Sequence, residues 1–325
     1  MRVLVTGGGG YIGSVATEQL LESGHDVVVL DDLCRGHRGA VHPDAELHEV
    51  DVRDAAGVHR VVQESNAEAV MHFAALHLVP ESVQKPAEYY ATNIGGGQHL
   101  LDAVRATGIE KFIFSSTAAV YGEPERVPIR EDDPKHPINP YGRSKWMVEQ
   151  FLDDYSAQYG LKYAAFRYFN VAGATQRYGE DHDPETHVIP VALQVIQGKR
   201  DAFTIFGTDY PTEDGTCIRD YLHVLDLVDA HIAALGKLDE SLGAFNLGTR
   251  DGFSVQQIVD AVQRVTGKEL PVTYGPRRAG DPSTLIADAS RTREVLGWVP
   301  QHSTMDEMIG SAWSWMQRNP HGYET

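Results

Sequence analysis

Tyr141 and Lys145 stand four residues apart in Tyr141-Gly142-Arg143-Ser144-Lys145, directly behind Pro140. A proline there suits the first turn of a helix, and four-residue spacing puts both side chains on one helix face. A nearby ammonium favours phenolate, so Lys145 is expected to lower a phenol that ordinarily titrates near 10. Upstream, Ser115-Ser116-Thr117 closes the apolar run Phe112-Ile113-Phe114. A phenol, an ammonium and a hydroxyl can manage one proton while a bound cofactor manages a hydride. Thr117 is placed to share a substrate hydroxyl with Tyr141, and Ser116 is a neighbouring binding candidate. A surface Tyr–Lys pair that only supports its helix has the same spacing. The surrounding elements must decide.

Residues 2–6 read as a buried strand running into Gly7-Gly8-Gly9-Gly10. Tyr11-Ile12-Gly13 then opens a helical stretch to Ser23, and Gly24 stops it before the strand Val27-Val28-Val29-Leu30. Glycines at 7, 10 and 13 between a strand and a helix let backbone N–H groups approach a pyrophosphate. Asp31 follows the second strand, where a carboxylate can accept bonds from an adenosine ribose and repel the extra phosphate of NADP. NAD is therefore the expected cofactor. Its positive ring would add to the pull of Lys145 on the phenol.

The alternation continues. Residues 47–50 lead to Asp51-Val52, a helix covers about 55–65, and residues 69–75 form a buried strand. A long helix spans 89–106, then come a strand at 111–116, a helix at about 141–159 and a sixth strand at 161–168. This predicts an α/β protein: a Rossmann-type doubly wound parallel sheet covered on both faces. Gly95-Gly96-Gly97 interrupts helix propensity and calls for a close approach, to the sheet or to the cofactor. Beyond about residue 170 prolines and glycines break the rhythm. Helices are expected at 226–235, at 255–266 behind a Ser254–Gln257 capping box, and at 304–318. The expected division is a cofactor-binding domain over 1–170 and a smaller mixed α/β domain over 171–325, some of whose elements return to the first.

The chain has 325 residues, 42% hydrophobic and 23% charged, enough for a full core. Its 46 acidic residues against 28 Lys and Arg give a formal charge of -18, which disfavours a nucleic-acid partner. No apolar run approaches the ~20 residues of a membrane span. The first residues do not divide into the regions of a secretory signal. Only Cys34 and Cys217 are present, so a disulfide framework is not implied and a cytoplasmic location is expected. His182, His187 and His223 form no short metal signature, and no metal is expected.

Longer stretches carry a resemblance. Gly7–Gly13, Phe114-Ser115-Ser116-Thr117-Ala118-Ala119-Val120-Tyr121-Gly122, Asn139-Pro140-Tyr141-Gly142-Arg143-Ser144-Lys145 and Arg167-Tyr168-Phe169-Asn170 are similar to the UDP-glucose/UDP-galactose 4-epimerase family of the extended short-chain dehydrogenase/reductase group. So are Tyr210-Pro211-Thr212-Glu213-Asp214-Gly215-Thr216 with Arg219-Asp220-Tyr221, Pro276-Arg277-Arg278-Ala279-Gly280-Asp281 and Pro320-His321-Gly322-Tyr323. The resemblance implies UDP-glucose and UDP-galactose as substrates, tightly held NAD and a homodimer. It implies that Tyr141 is the base and acid, Lys145 positions the cofactor and Thr117 orients the sugar. Gly7, Gly10, Tyr11, Ile12, Gly13, Asp31, Asp51, Val52, Phe73, Ala74, Ala75, His77, Asn93, Ser115 and Tyr168 match the cofactor path. Ser116, Asn170, His187, Val188, Phe206, Arg219, Arg278, Asp281 and Leu285 match the nucleotide-sugar site. His77 stands where many relatives carry lysine, and His187 where asparagine is common. Leu285 falls beside the sugar's C2 substituent, which leaves N-acetylhexosamine and pentose UDP-sugars open as substrates.

Overall fold

The computed structural model describes residues 1–278 and 281–323; Ala279 and Gly280 of the sequence match lie outside them. Seven strands make the central sheet: β1 (Arg2–Thr6), β2 (Asp26–Asp31), β3 (Glu46–Glu49), β4 (Ala69–His72), β5 (Lys111–Ser115), β6 (Lys162–Tyr168) and β7 (Gly243–Leu247). Their spatial order is β7-β6-β5-β4-β1-β2-β3, and every pair is parallel. The chain winds one way from β1 to β3 and the other way from β4 onward. The order therefore reverses between β1 and β4, which is where such sheets open a crevice at their carboxyl ends.

Period-two alternation sends the side chains of one strand into two cores. Val3 and Val5 pack with the helices Tyr11–Glu22 and Val224–Lys237, whereas Leu4 packs with Ala55–Ser65, Gly96–Thr107 and Pro140–Tyr159. Because both faces are covered, the strands read as apolar runs rather than alternating ones. The later chain rejoins this body through the helix Val224–Lys237, through β7 and through the helix Ser290–Leu296 with Trp298 behind it.

The expected helix at 89–106 is three pieces. An α-turn at Pro86–Tyr89 passes through a π-helical stretch, Tyr90–Gly95, into the helix Gly96–Thr107. Its glycines serve packing. A Cβ on Gly96 would lie 2.6 Å from Val52 Cγ2, and one on Gly97 would lie 3.1 Å from Val148 Cγ2. The strand expected to reach residue 75 stops at His72. Phe73 and Ala74 leave the sheet with their N–H groups on the Thr6 carbonyl, and so turn into the crevice.

A second core joins the helices Val188–Ile196, Val255–Thr266 and Met305–Arg318. Ser254 and Gln257 form the expected reciprocal cap. Short strands fill the rest of this region: Asn170–Ala172 with Tyr221–His223, Phe203–Phe206 with Val272–Gly275, and Ile218–Arg219 between Phe253–Ser254 and Thr284–Leu285. These elements face the carboxyl ends of the sheet and close the crevice into a cleft.

Candidate active site

The cleft has a volume of about 550 Å³ and runs from the glycine loop, past Tyr141, to Arg219 and Arg278. At the first end, the loop after β1 is built by contact of backbone with backbone. A Cβ on Gly13 would lie 2.0 Å from the Gly7 carbonyl oxygen. One on Gly7, whose φ is +79°, would lie 2.6 Å from the Ala74 nitrogen. No side chain fits between the loop and its neighbours, so the backbone itself faces the cleft. The loop opens the helix Tyr11–Glu22, whose N-terminal N–H groups favour an anion. Asp31, at the end of β2, holds the loop in place. Its Oδ2 accepts from Gly9 N–H at 2.9 Å and its Oδ1 from Leu33 N–H at 2.8 Å. Burial pushes its carboxyl up and those two bonds pull it down. Tyr11 donates its hydroxyl to the Gly173 carbonyl at 2.7 Å, tying the loop to the smaller region. A backbone cradle for a diphosphate beside a carboxylate fits a dinucleotide.

Gly10, Ile12, Val52, Phe73, Ala74, Ala75, His77, Ser115 and Tyr168 also line this half. Two expected contacts do not. Asp51 turns its carboxylate to Arg53, with Nη2 at 2.5 Å, and that pairing holds its pKa down. Buried Asn93 braces the cleft wall instead: its side chain bonds the Leu76 N–H and carbonyl, both at 2.9 Å, and Ser144 Oγ at 3.0 Å.

In the middle, helix Pro140–Tyr159 carries Tyr141 and Lys145 to the end of β5. Asn139 caps this helix by accepting from Gly142 N–H at 2.8 Å. Lys145 is buried, donates to the Ser115 carbonyl at 2.8 Å and lies 4.9 Å above the Phe114 ring. Thr117 caps the turn Ala118–Tyr121 by accepting from Ala119 N–H, and it lines the cleft together with Tyr141. Ser115 Oγ bonds the Tyr168 hydroxyl. The phenol is not lowered as its spacing from Lys145 suggested. Burial pushes Tyr141 up to about 12 against the opposing pull of Thr117, and Lys145 falls to about 7, burial outweighing Glu149. In the chain alone the low-dielectric site favours the uncharged form of both groups.

Ser116 lies off the cleft. Its hydroxyl donates to Glu149, which pairs with Arg167 through Nε at 3.0 Å. Arg167 Nη1 also donates to Tyr121 Oη at 2.8 Å, and Tyr121 donates to Asn246 at 2.7 Å. This buried network fixes the Ser115–Thr117 turn from beneath. Sequence reasoning passed over Glu149, although it lies one turn beyond Lys145 on the same face.

At the far end Asn170, His187, Arg219, Arg278 and Leu285 line the cleft. Arg219 Nη1 donates to the Ile218 carbonyl at 2.7 Å, while Nη2 donates to Asp281 and to the Pro282 carbonyl. Asp281 therefore anchors an arginine rather than lining the wall. Phe206 is set back as well, under the Arg278 guanidinium at 4.3 Å, and Val188 starts the helix behind His187. Glu180 and Arg35 line the cleft without having been singled out, and His182, weighed above only as a metal ligand, lines it too. The fold also gathers His182 and His187 around Glu180 and Glu185, whereas His223 caps the helix Val224–Lys237 elsewhere.

Residues 3–248 match the family model described as the NAD dependent epimerase/dehydratase family. A UDP-glucose 4-epimerase of Lacticaseibacillus casei is 50% identical over 327 residues, covering 99% of each chain. A crystal structure of a UDP-glucose 4-epimerase superposes with a TM-score of 0.97 at 48% identity, covering 100% of both chains. The Bifidobacterium longum UDP-glucose 4-epimerase, solved in complex with NAD+ and UDP, gives a TM-score of 0.94 at 37% identity over 99% of this chain and 100% of that one. This chain belongs to the NAD-dependent epimerase/dehydratase family and, within it, to the UDP-glucose 4-epimerases.

Proposed function

We propose that the chain interconverts UDP-glucose and UDP-galactose by inverting the sugar's C4 centre. The observation that carries this reading is the order along the cleft: Tyr141, Thr117 and the buried Lys145 line its middle, between a backbone phosphate cradle and two cleft-lining arginines. That order suits a dinucleotide at one end, a nucleoside diphosphate at the other and a sugar between.

NAD, when bound, supplies what no side chain can: an acceptor for the C4 hydride that afterwards gives it back to the opposite face of the sugar. The glycine loop, Asp31 and the Phe73–Ala75 turn hold its two halves. Tyr141 takes the C4 hydroxyl proton and later returns it, and Thr117 keeps that hydroxyl in line. The Lys145 ammonium is fixed by the Ser115 carbonyl, so its charge stands near the phenol when the phenolate forms. Arg219 and Arg278 grip the diphosphate as planar forks. Asn170 and His187 add nucleotide contacts, and Leu285 bounds the sugar pocket. A firm grip on UDP with few charges around the sugar leaves the 4-keto sugar free to turn.

The test is C4 inversion followed by NMR with UDP-glucose and UDP-galactose supplied separately. Conversion of each into the other is expected. Tyr141→Phe should lower kcat about 10²–10⁴-fold while keeping NAD and UDP bound. Undiminished turnover in that variant would reject the assigned base.

A homodimer formed through helices of the first domain accompanies this reading, with Met147 exposed on the helix Pro140–Tyr159. Mass in solution at twice 35.8 kDa is the expected result. A cytoplasmic site of action fits two cysteines that are both free. Among the described residues no helix is long and apolar enough to cross a membrane.

A further inference from the structure

We propose that Glu180, His182, Glu185 and His187 form a binding site for a divalent transition metal of the zinc class. The cluster stands on the wall of the same cleft and shares His187 with the nucleotide contacts proposed above. Each of the four offers a ligand atom, and these atoms all lie within 4.8 Å of one another. His187 Nδ1 is 2.6 Å from Glu180 Oε1 and 2.9 Å from Glu185 Oε1. His182 Nδ1 is 3.1 Å from Glu180 Oε1 and 3.9 Å from Glu185 Oε2. A tetrahedral zinc with bonds of about 2.0–2.1 Å has ligand-to-ligand edges of about 3.3 Å. Three of these separations are hydrogen-bond lengths slightly below that edge, so the side chains would rotate apart to admit a metal in place of the protons they now share.

A second observation points the same way. His77, from a distant part of the chain, packs its ring 4.7 Å from His182 and 6.0 Å from His187, centroid to centroid. Its Nε2 is buried and has no hydrogen-bond partner among the described residues. A buried imidazole nitrogen left unpaired costs free energy unless something accepts or donates to it. His77 lines the cofactor half of the cleft as well, so either bound NAD or a water held by a metal beside His182 would meet that need.

The donors choose the ion. Two imidazoles with two carboxylates suit zinc, cobalt, nickel or manganese, whereas magnesium and calcium prefer all-oxygen shells. The carboxylates are the buried members, with side chains 6% exposed at Glu180 and 2% at Glu185. Glu185 Oε1 also accepts from the N–H groups of Thr186 and His187, both at 2.7 Å, which fixes its direction. Such supporting bonds are what ligating carboxylates ordinarily have. Glu180, His182, His187 and His77 all stand on the cleft wall, so a remaining coordination position would open toward the cleft.

The experiment uses the NAD-containing protein, stripped of metal with a chelator and titrated with zinc chloride against a chromophoric zinc indicator. One equivalent bound at sub-micromolar Kd is expected. His182→Asn and Glu180→Gln should each weaken it at least tenfold, and a hundredfold excess of magnesium should not compete. Cobalt(II) bound to the unaltered protein should show the intense visible absorption of a four- or five-coordinate site, a readout that needs no variant to fold. Equal zinc affinity in the unaltered protein and both variants would overturn the proposal. So would a cobalt spectrum no stronger than that of the hexaaqua ion. Neither result touches epimerisation, which is read separately by C4 inversion.

Discussion

The two ends of the cleft are built by opposite means. The cofactor end is made of backbone and comes largely from one short stretch, Gly7 to Asp31, with Phe73 and Ala74 folded against it. The nucleotide-sugar end is made of side chains delivered by separate short elements and stitched together by polar contacts. Arg219 joins Asp281 and the Pro282 carbonyl. Behind it, buried Asp220 accepts from Thr249 N–H at 2.9 Å and Ala287 N–H at 3.0 Å, holding three segments in register. A backbone cradle cannot accommodate added atoms, whereas a stitched wall can exchange one side chain for another. The first end should therefore fail completely when perturbed, and the second by degrees.

The largest effect belongs to the cradle. In Gly13→Val the new Cβ would meet the Gly7 carbonyl oxygen at 2.0 Å, and that oxygen belongs to backbone that cannot rotate away. The loop must open, so NAD measured after purification should fall by more than a hundredfold, and turnover with it. Gly236→Ala is the control, since among the described residues no atom outside its own stretch of helix lies within 4 Å of a Cβ at that position. It should keep full NAD content and gain about 1 kcal/mol of stability from helix propensity. Retained NAD in Gly13→Val would mean that the cradle is looser than its contacts imply.

This contrast also sets what could be read from the residues alone. The glycine loop, β1 to β6 and the Tyr141–Lys145 face rest on local periodicity and spacing, and the fold follows them closely. Asp51, Ser116, Phe206 and Asp281 stand back from the cleft lining, because each side chain is engaged by a partner that hydrophobic periodicity does not reveal. Asp51 finds Arg53 two residues away, and Ser116 finds Glu149 on the helix Pro140–Tyr159. The cluster around Glu180 is set aside for another reason. In the sequence His182 and His187 are weighed with His223 and without Glu180 and Glu185, and His77 packs beside them only through the fold. Burial, likewise, is a property of the assembled cleft. The Lys145 ammonium and the positive ring of NAD together predict a lowered phenol at Tyr141, whereas in the chain alone burial sets the opposite direction.

A middle-sized effect lies at the seam, where Lys145 pays for its position in stability. Its amine is held at about 7, whereas an unfolded lysine titrates near 10.4. Between those values the unfolded chain holds a proton that the folded chain has released, so rising pH stabilises the native protein. Below pH 7 the folded chain must carry a buried charge, and the full cost is present. Lys145→Met removes that cost and gives up one bond to the Ser115 carbonyl. The variant should be more stable by about 2–4 kcal/mol at pH 6, an advantage that shrinks as pH approaches 10. Denaturant titration at both pH values, with saturating NAD, measures the difference. A gap that does not change with pH would show that burial does not set the lysine's charge.

The smallest effect is expected at the stitched wall and tests whether the two ends are separable. Arg219→Lys keeps a positive charge but loses the fork, which now reaches the Ile218 and Pro282 carbonyls and Asp281 at once. A lysine can meet one of these at a time, as a point charge on a flexible stem. The Asp281 loop would lose one anchor, and a diphosphate would lose planar, two-point recognition. KM for the UDP-sugar should rise about tenfold, equivalent to about 1.4 kcal/mol. kcat should change by less than about threefold, since the altered group holds both ground state and transition state alike. NAD content should not change, because the glycine cradle shares no hydrogen bond with Arg219. If Arg219→Lys released NAD along with the UDP-sugar, the ends would be coupled through the smaller region, with the Tyr11–Gly173 bond as the joint to examine.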